Sequence, residues 1–209
     1  APIKKRVDGI TADIVICGDL LEDSRDSKSG TFMTAKARIK KFWLMQIYRP
    51  QRNKQYAALQ DKSILKVANS THMRQIVESK HNQKAIIAIG GVDTEFFYPK
   101  PERAEISVLT YKLKSKMPSG VVFKQCELRS IDDSVSQVEL RQRYWDSAIF
   151  VNLERADYYG WCNPVAEAMA CGRACISVDA PHVKDLVISN KTGLITNPTA
   201  EDVSKKLQL

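Results

Sequence analysis

The stretch Asp157-Tyr-Tyr-Gly-Trp-Cys-Asn-Pro-Val-Ala-Glu-Ala-Met-Ala-Cys-Gly172 reads as a strand end, a tight loop and a short helix closed by a glycine. Ahead of it, Ser147-Ala-Ile-Phe-Val-Asn-Leu153 is a short apolar run of the kind a buried strand requires. Asn163 is a suitable N-cap, and Pro164 fits the first helical position, where its missing N–H costs nothing. Val165, Ala166, Ala168, Met169 and Ala170 make a small, close-packing helix, and Gly172 suits its C-terminal cap. The loop 160–163 then points backbone N–H groups, and the positive end of a helix dipole, into the space above a sheet, where a phosphate is favoured.

Outward from this stretch, apolar runs alternate with helical patterns along the whole chain. Strands are predicted at 13–18, 41–48, 63–69 and 85–89, with helices at 34–41, 52–61 and 71–80, the last capped by Ser70. Residues 97–104, with two prolines and several charges between apolar runs, read as a linker. Beyond it, strands are predicted at 106–111, 121–126, 148–153, 174–178 and 193–195, and helices at 136–145, 164–171, 182–189 and 200–207. Strands that are apolar throughout, each followed by a helix, indicate parallel sheets covered on both sides. The domain reading is a first lobe over 1–96, the linker 97–104 and a second lobe over 105–209.

Three motifs in order carry a family resemblance. Gly160, Pro164, Glu167, Ala168, Met169, Ala170 and Gly172 fall into register with the donor loop and helix of the retaining GT-B glycosyltransferases of family 4. Gly91-Val-Asp-Thr-Glu-Phe-Phe-Tyr-Pro99 resembles that family's interdomain segment. Ala174-Cys-Ile-Ser-Val-Asp-Ala180 and Asn190-Lys-Thr-Gly-Leu-Ile195 resemble its next strand and closing hairpin. The resemblance implies an α/β protein with two small Rossmann-like lobes, a cleft between them, the acceptor on the first lobe and a nucleotide-sugar donor on the second. It implies transfer with retention of configuration, a UDP- or GDP-linked donor as substrate, and no metal or other cofactor. The first lobe lacks the family's glycine-rich opening strand, so the chain is either truncated there or naturally minimal.

A nucleotide-sugar transferase must hold a diphosphate, a ribose and base, and a sugar that becomes cationic in the transition state. Backbone N–H groups and fixed cations answer the first need. The donor-binding candidates are therefore Tyr159, Gly160, Trp161, Cys162, Asn163 and Glu167, with Lys112, Lys114 and Lys116 on the loop after the second lobe's first strand. Glu167 sits on the first turn of the expected helix, where a carboxylate complements the dipole, and the resemblance gives it the ribose hydroxyls. The family's other glutamate falls at Tyr159, so Asp157 or Glu154 would have to supply that carboxylate. The catalytic candidates are Lys112, Lys116 and Asp157.

Composition bounds the alternatives. The 209 residues are 44% hydrophobic and 27% charged, as in an ordinary globular chain, and no apolar run reaches membrane-spanning length. Five scattered cysteines without metal spacing read as reduced, buried thiols of a cytoplasmic protein. None of the three histidines has a Ser or Asp partner at motif spacing, and surface or capping roles are expected for them. The net charge of +8 favours anionic partners, and peripheral contact with an anionic membrane fits a lipid-linked acceptor. A glycan or protein acceptor is equally compatible, whereas the aromatic interleaving of a single-strand nucleic-acid platform is missing. Two other classes remain: a degenerate nucleotide-sugar-binding protein, motivated by Tyr159, and a basic nucleic-acid- or membrane-surface-binding module. No Gly-x-Gly-x-x-Gly follows a predicted strand, which argues against a dinucleotide oxidoreductase.

Overall fold

The computed structural model describes residues 11–17, 36–45, 48, 53–100, 107–111, 117–121, 127–131 and 134–208. The chain divides into two compact units, one comprising Ala1–Gly90 with Tyr158–Trp161, the other Gly91–Asp157 with Cys162–Leu209. The division thus falls at Gly90/Gly91, ahead of the expected 96/97. The reason is local. Asp93 Oδ1 accepts from the N–H groups of Glu95 and Phe96, and this turn delivers Phe97 into the second unit's core.

The first unit is a four-stranded parallel sheet in the order β1 (Thr11–Cys17), β2 (Lys36–Met45), β3 (Ile64–Ala68), β4 (Ala85–Ile87). Helix α1 (Asn53–Gln60) connects β2 to β3, and α2 (Thr71–His81) connects β3 to β4. Lys36 to Met45 is one continuous strand, so the basic helix expected over 34–41 is not formed at 36–41. Pairing of Lys36, Ala37, Lys40 and Lys41 with β1 outweighs the helix propensity of their side chains. Ser70 caps α2 as expected, its Oγ accepting from Met73 N–H at 3.1 Å.

Alternation along these strands sorts two faces. Trp43 and Met45 lie in register with Lys66 and Ala68, and all four are buried; Trp43 and Met45 pack with Ala58 and Leu59 of α1 and Val77 of α2, and Ala68 packs with Met73 and Ile76 of α2. Lys66, 1% exposed, donates from Nζ to the Asp61 carbonyl at 2.6 Å, and burial lowers its pKa. The opposite face carries the rows Ile16–Phe42–Leu65 and Leu44–Val67–Ile86, of which Ile16, Leu44 and Ile86 are exposed. Coverage on both sides was expected; among the described residues this sheet is covered on one. Strands added in a single direction send right-handed crossovers to the same side.

The second unit is a five-stranded parallel sheet in the order β6-β5-β7-β8-β9. Its strands are β5 (Ser107–Tyr111), β6 (Glu127–Ile131), β7 (Ile149–Asn152), β8 (Ala174–Val178) and β9 (Leu194–Thr196). Helices α3 (Gln137–Trp145), α4 (Asn163–Ala170) and α5 (Ala200–Lys206) complete it. Here β5, β7 and β8 are buried along nearly their whole length, as two covered faces require. Three expectations are corrected. Strand β6 lies downstream of the expected 121–126, of which 122–126 fall outside the described residues. Residues 182–189 form only a single 3-10 turn, Pro181–Val183, because the segment instead folds back through turns to Ser189, which bridges Gly193. The closing 190–195 segment enters β9 parallel to β8, not as a hairpin.

Helix α3 ties the unit together. Leu140 and Tyr144 face the core, whereas the Arg141 guanidinium stacks on Phe96 at 4.4 Å and Trp145 at 4.5 Å and donates to the Phe96 carbonyl. Trp145 Nε1 donates to the Tyr98 carbonyl at 2.7 Å. At the end of α4, Gly172 takes φ +73, and the N–H groups of Gly172 and Arg173 return to Met169 and Ala168, the cap expected of this glycine.

Within the first unit, Gly160 approaches α2 so closely that an added Cβ would overlap Asn69 Oδ1 and lie 2.7 Å from Met73 Cγ. Gly160→Ala should therefore lower stability by about 1–3 kcal/mol. Gly91→Ala, with nothing within 4 Å of its Cβ position, should stay within about 0.5 kcal/mol of the wild type. Urea-unfolding midpoints of the two variants check this, and equal midpoints would contradict the close approach.

Candidate functional site

In the second unit the chain builds β5, moves outward to β6, and then returns to the other side of β5 to place β7. That reversal is a topological switch point, and open parallel sheets bind ligands outside the carboxyl ends of the strands that flank it. Those ends are Tyr111 on β5 and Asn152 on β7. Asn152 is buried and donates from Nδ2 to Ser177 Oγ at 3.1 Å, which pins the end of β7 to β8. His182, 2% exposed, is neither a surface nor a helix-capping histidine: its Nδ1 meets the Ala156 carbonyl at 2.8 Å and holds the segment that follows β7.

Helix α4 begins at Asn163, one residue earlier than expected. Cys162 occupies the N-cap position without a side-chain hydrogen bond, so Asn163 is not the cap. Asn163 is exposed at the helix start and Pro164 follows in the first turn. Glu167 consequently lies past the first turn, which contains no acidic residue. The helix dipole is therefore not what holds its carboxylate. What holds it is Tyr144, whose hydroxyl donates to Glu167 Oε2 at 3.0 Å.

Tyr144 is fully buried, with Phe97 and Phe150 edge-on to its ring at centroid distances of 6.1 and 5.7 Å. Burial raises the Glu167 pKa, and the Tyr144 bond offsets part of that rise. Burial also drives the Tyr144 phenol far above its ordinary value, with the neighbouring Glu167 charge adding to the effect. The thiols of Cys171 and Cys175 are pushed up to about 11 and about 12 by burial, which leaves them protonated and inert at neutral pH.

The expected site residues distribute unevenly. Cys162, Asn163 and Glu167 belong to α4 and its cap, and Asp157 is an exposed residue of the same unit. Tyr159, Gly160 and Trp161 group with the first unit, where the Tyr158 and Tyr159 rings meet at a tilt of 47° with centroids 4.4 Å apart, Trp161 covers Gly90, and Tyr48 N–H donates to the Tyr158 carbonyl. Lys112, Lys114 and Lys116 lie outside the described residues. Among the described residues there is no cluster of three side chains suited to a metal ion, and no helix is long and apolar enough to cross a membrane. The residue that sequence reading missed is Tyr144. A tyrosine on the buried face of α3 and a glutamate on an apolar helix each needed a polar partner, and that shared need was the available signal.

The family described as glycosyl transferases group 1 matches residues 129–208, which contain α3, β7 and α4. No curated protein matches the chain. Among solved structures, sucrose-phosphate synthase from Thermosynechococcus elongatus superposes with a TM-score of 0.70 at 13% identity, over 94% of this chain and 63% of that one. Anabaena HepE in complex with UDP-glucose gives 0.69 at 12% identity, over 94% and 68%. A glycosyltransferase from Rickettsia africae gives 0.66 at 15% identity, over 94% and 65%. The fold is thus the two-lobed, Rossmann-like GT-B architecture, and the chain spans about two thirds of the length of these structures.

The raised pKa of Glu167 has a measurable sign. With a native pKa above the unfolded one, the native state gains stability at low pH and loses it as pH rises through the native value. Glu167→Gln still accepts from Tyr144 but does not ionise. Its unfolding midpoint relative to wild type should therefore climb between about pH 4 and pH 7. A difference that is constant or falls over that range would contradict the assignment.

Proposed function

We propose that this chain is a glycosyltransferase that takes a sugar from a nucleotide-diphosphate-sugar donor held by the second unit. The observation that carries the reading is the half-buried, hydrogen-bonded Glu167 on the helix after β7, inside the segment matched by glycosyl transferases group 1. HepE, of the same fold, is a UDP-glucose complex, which supports a nucleotide sugar as the ligand here. In this reading Glu167 accepts from the ribose hydroxyls, and Asn163 and Cys162 offer backbone N–H groups at the start of α4. Lys112 and Lys116, which follow β5 in sequence, supply positive charge to the diphosphate.

The reaction needs no covalent chemistry from the protein. The acceptor hydroxyl oxygen bonds to the anomeric carbon as the bond from that carbon to the β-phosphate oxygen breaks. The hydroxyl proton passes to the leaving phosphate, and the configuration is retained. Positioning and electrostatic stabilisation of the departing nucleotide supply the rate enhancement. Asp157 takes the place of the family's missing carboxylate at Tyr159, and the acceptor is a hydroxyl of a glycan, a lipid-linked carrier or a protein.

Thermal unfolding against UDP, GDP and ADP, each free and sugar-linked, tests the reading. A ligand at 100 times its dissociation constant adds about 2.7 kcal/mol, or roughly 5–10 °C in Tm for a chain of this size. One nucleotide should produce that shift, and Glu167→Ala should remove most of it. No shift with any nucleotide at millimolar concentration would overturn the proposal. Binding without release of sugar or nucleotide would assign the chain to the non-catalytic class.

A further inference from the structure

We infer that Tyr144 is a positioning residue for donor recognition: its hydroxyl fixes the Glu167 carboxylate in one orientation as an acceptor for the ribose hydroxyls. The inference rests on the donor-site reading above and deepens it. A glutamate has three rotatable side-chain bonds, and an exposed one samples many rotamers before binding. Here one carboxylate oxygen is tied at 3.0 Å to a phenol that has no freedom of its own. The phenol is fully buried between the edges of Phe97 and Phe150, on a helix capped by Ser136.

The choice of residue is informative. The surrounding cluster already uses phenylalanine at Phe97 and Phe150, and an apolar core at 144 would be served equally well by a third. A buried hydroxyl is costly unless it has a partner, and the partner of this one is Glu167. The bond also favours the ionised carboxylate, the form that accepts from both hydroxyls of a diol. The titratable groups around the pair are Cys171 at the end of α4, Cys162 at its start and Tyr111 at the end of β5, with Arg173 and Arg141 beside Cys171. Cys171 and Tyr144 stay protonated well above neutral pH, so neither contributes to the acid limb of a binding profile.

The test is calorimetric titration with UDP, GDP and ADP of the full chain in four forms: wild type, Tyr144→Phe, Glu167→Gln and the double variant. Tyr144→Phe should weaken nucleotide binding about 3- to 10-fold. It should also move the acid limb of the affinity profile to higher pH, because affinity falls as Glu167 takes up a proton. In the Glu167→Gln background the same change should have less than about a twofold effect, since the charge it orients is gone. An equal loss in both backgrounds, or an unmoved acid limb, would show a merely structural tyrosine and overturn the inference.

A second readout needs no ligand. The carboxyl carbon resonance of Glu167 should titrate at higher pH in Tyr144→Phe than in wild type. If that shift occurs but no nucleotide binds the wild type, the donor reading fails and the pair is a structural contact. If nucleotide binds and Glu167→Gln weakens it while Tyr144→Phe does not, the donor reading stands and the inference fails.

Discussion

The reversal of strand order at β5, with β6 laid on one side of it and β7 on the other, is the constraint on which the candidate site depends. A parallel pair cannot close through a tight turn, so every connection must travel over the sheet and return. After β6 the chain therefore comes back through α3 to lay β7 against the free side of β5. That passage sets Tyr144 under the helix that follows β7, and it makes the carboxyl ends of β5 and β7 the place where a ligand fits. Short side chains on α4 let it sit close to the sheet: Val165, Ala166 and Ala168 are buried. Glu167 is carried on the same helix, against the tyrosine below.

The two units treat buried polarity differently. In the first, Lys66 is buried and its ammonium is satisfied by the Asp61 carbonyl, with the Asp61 carboxylate held low by hydrogen bonds from Ser63. That arrangement closes the turn between α1 and β3 and has no obvious chemical use. In the second, the half-buried Glu167 carboxylate has its acidity weakened by burial and partly restored by one phenol. Under the proposed donor reading, a carboxylate held in this way is the acceptor for a diol.

The legible part of the sequence was the part governed by local rules. The alternation of apolar runs and helices identified seven of the strands within a few residues, Ser70 and Gly172 announced their caps, and the motif around Pro164 located the helix bearing Glu167. What misled was context. Lys36 to Lys41 has helix-forming side chains but is recruited as a strand by pairing with β1. The apolar strands of the first unit suggested two covered faces, yet sequence alone does not say which side the crossovers take. Phe97 looked like the edge of a linker because two prolines follow it, whereas the Asp93 turn drives it into the core. Tyr144 falls inside the helix predicted over 136–145 with nothing to single it out, since a hydrogen bond across 23 residues leaves no trace in local periodicity.

The central claim is that the second unit binds the nucleotide through the helix after β7. Amide hydrogen exchange with and without a saturating nucleotide tests this most directly. The account predicts slowed exchange at the amides of α4 and of the segment that leads from Asn152 to Asp157, with Glu167→Ala removing the effect. Protection confined to β1–β4 and their helices, or none at all, would contradict it.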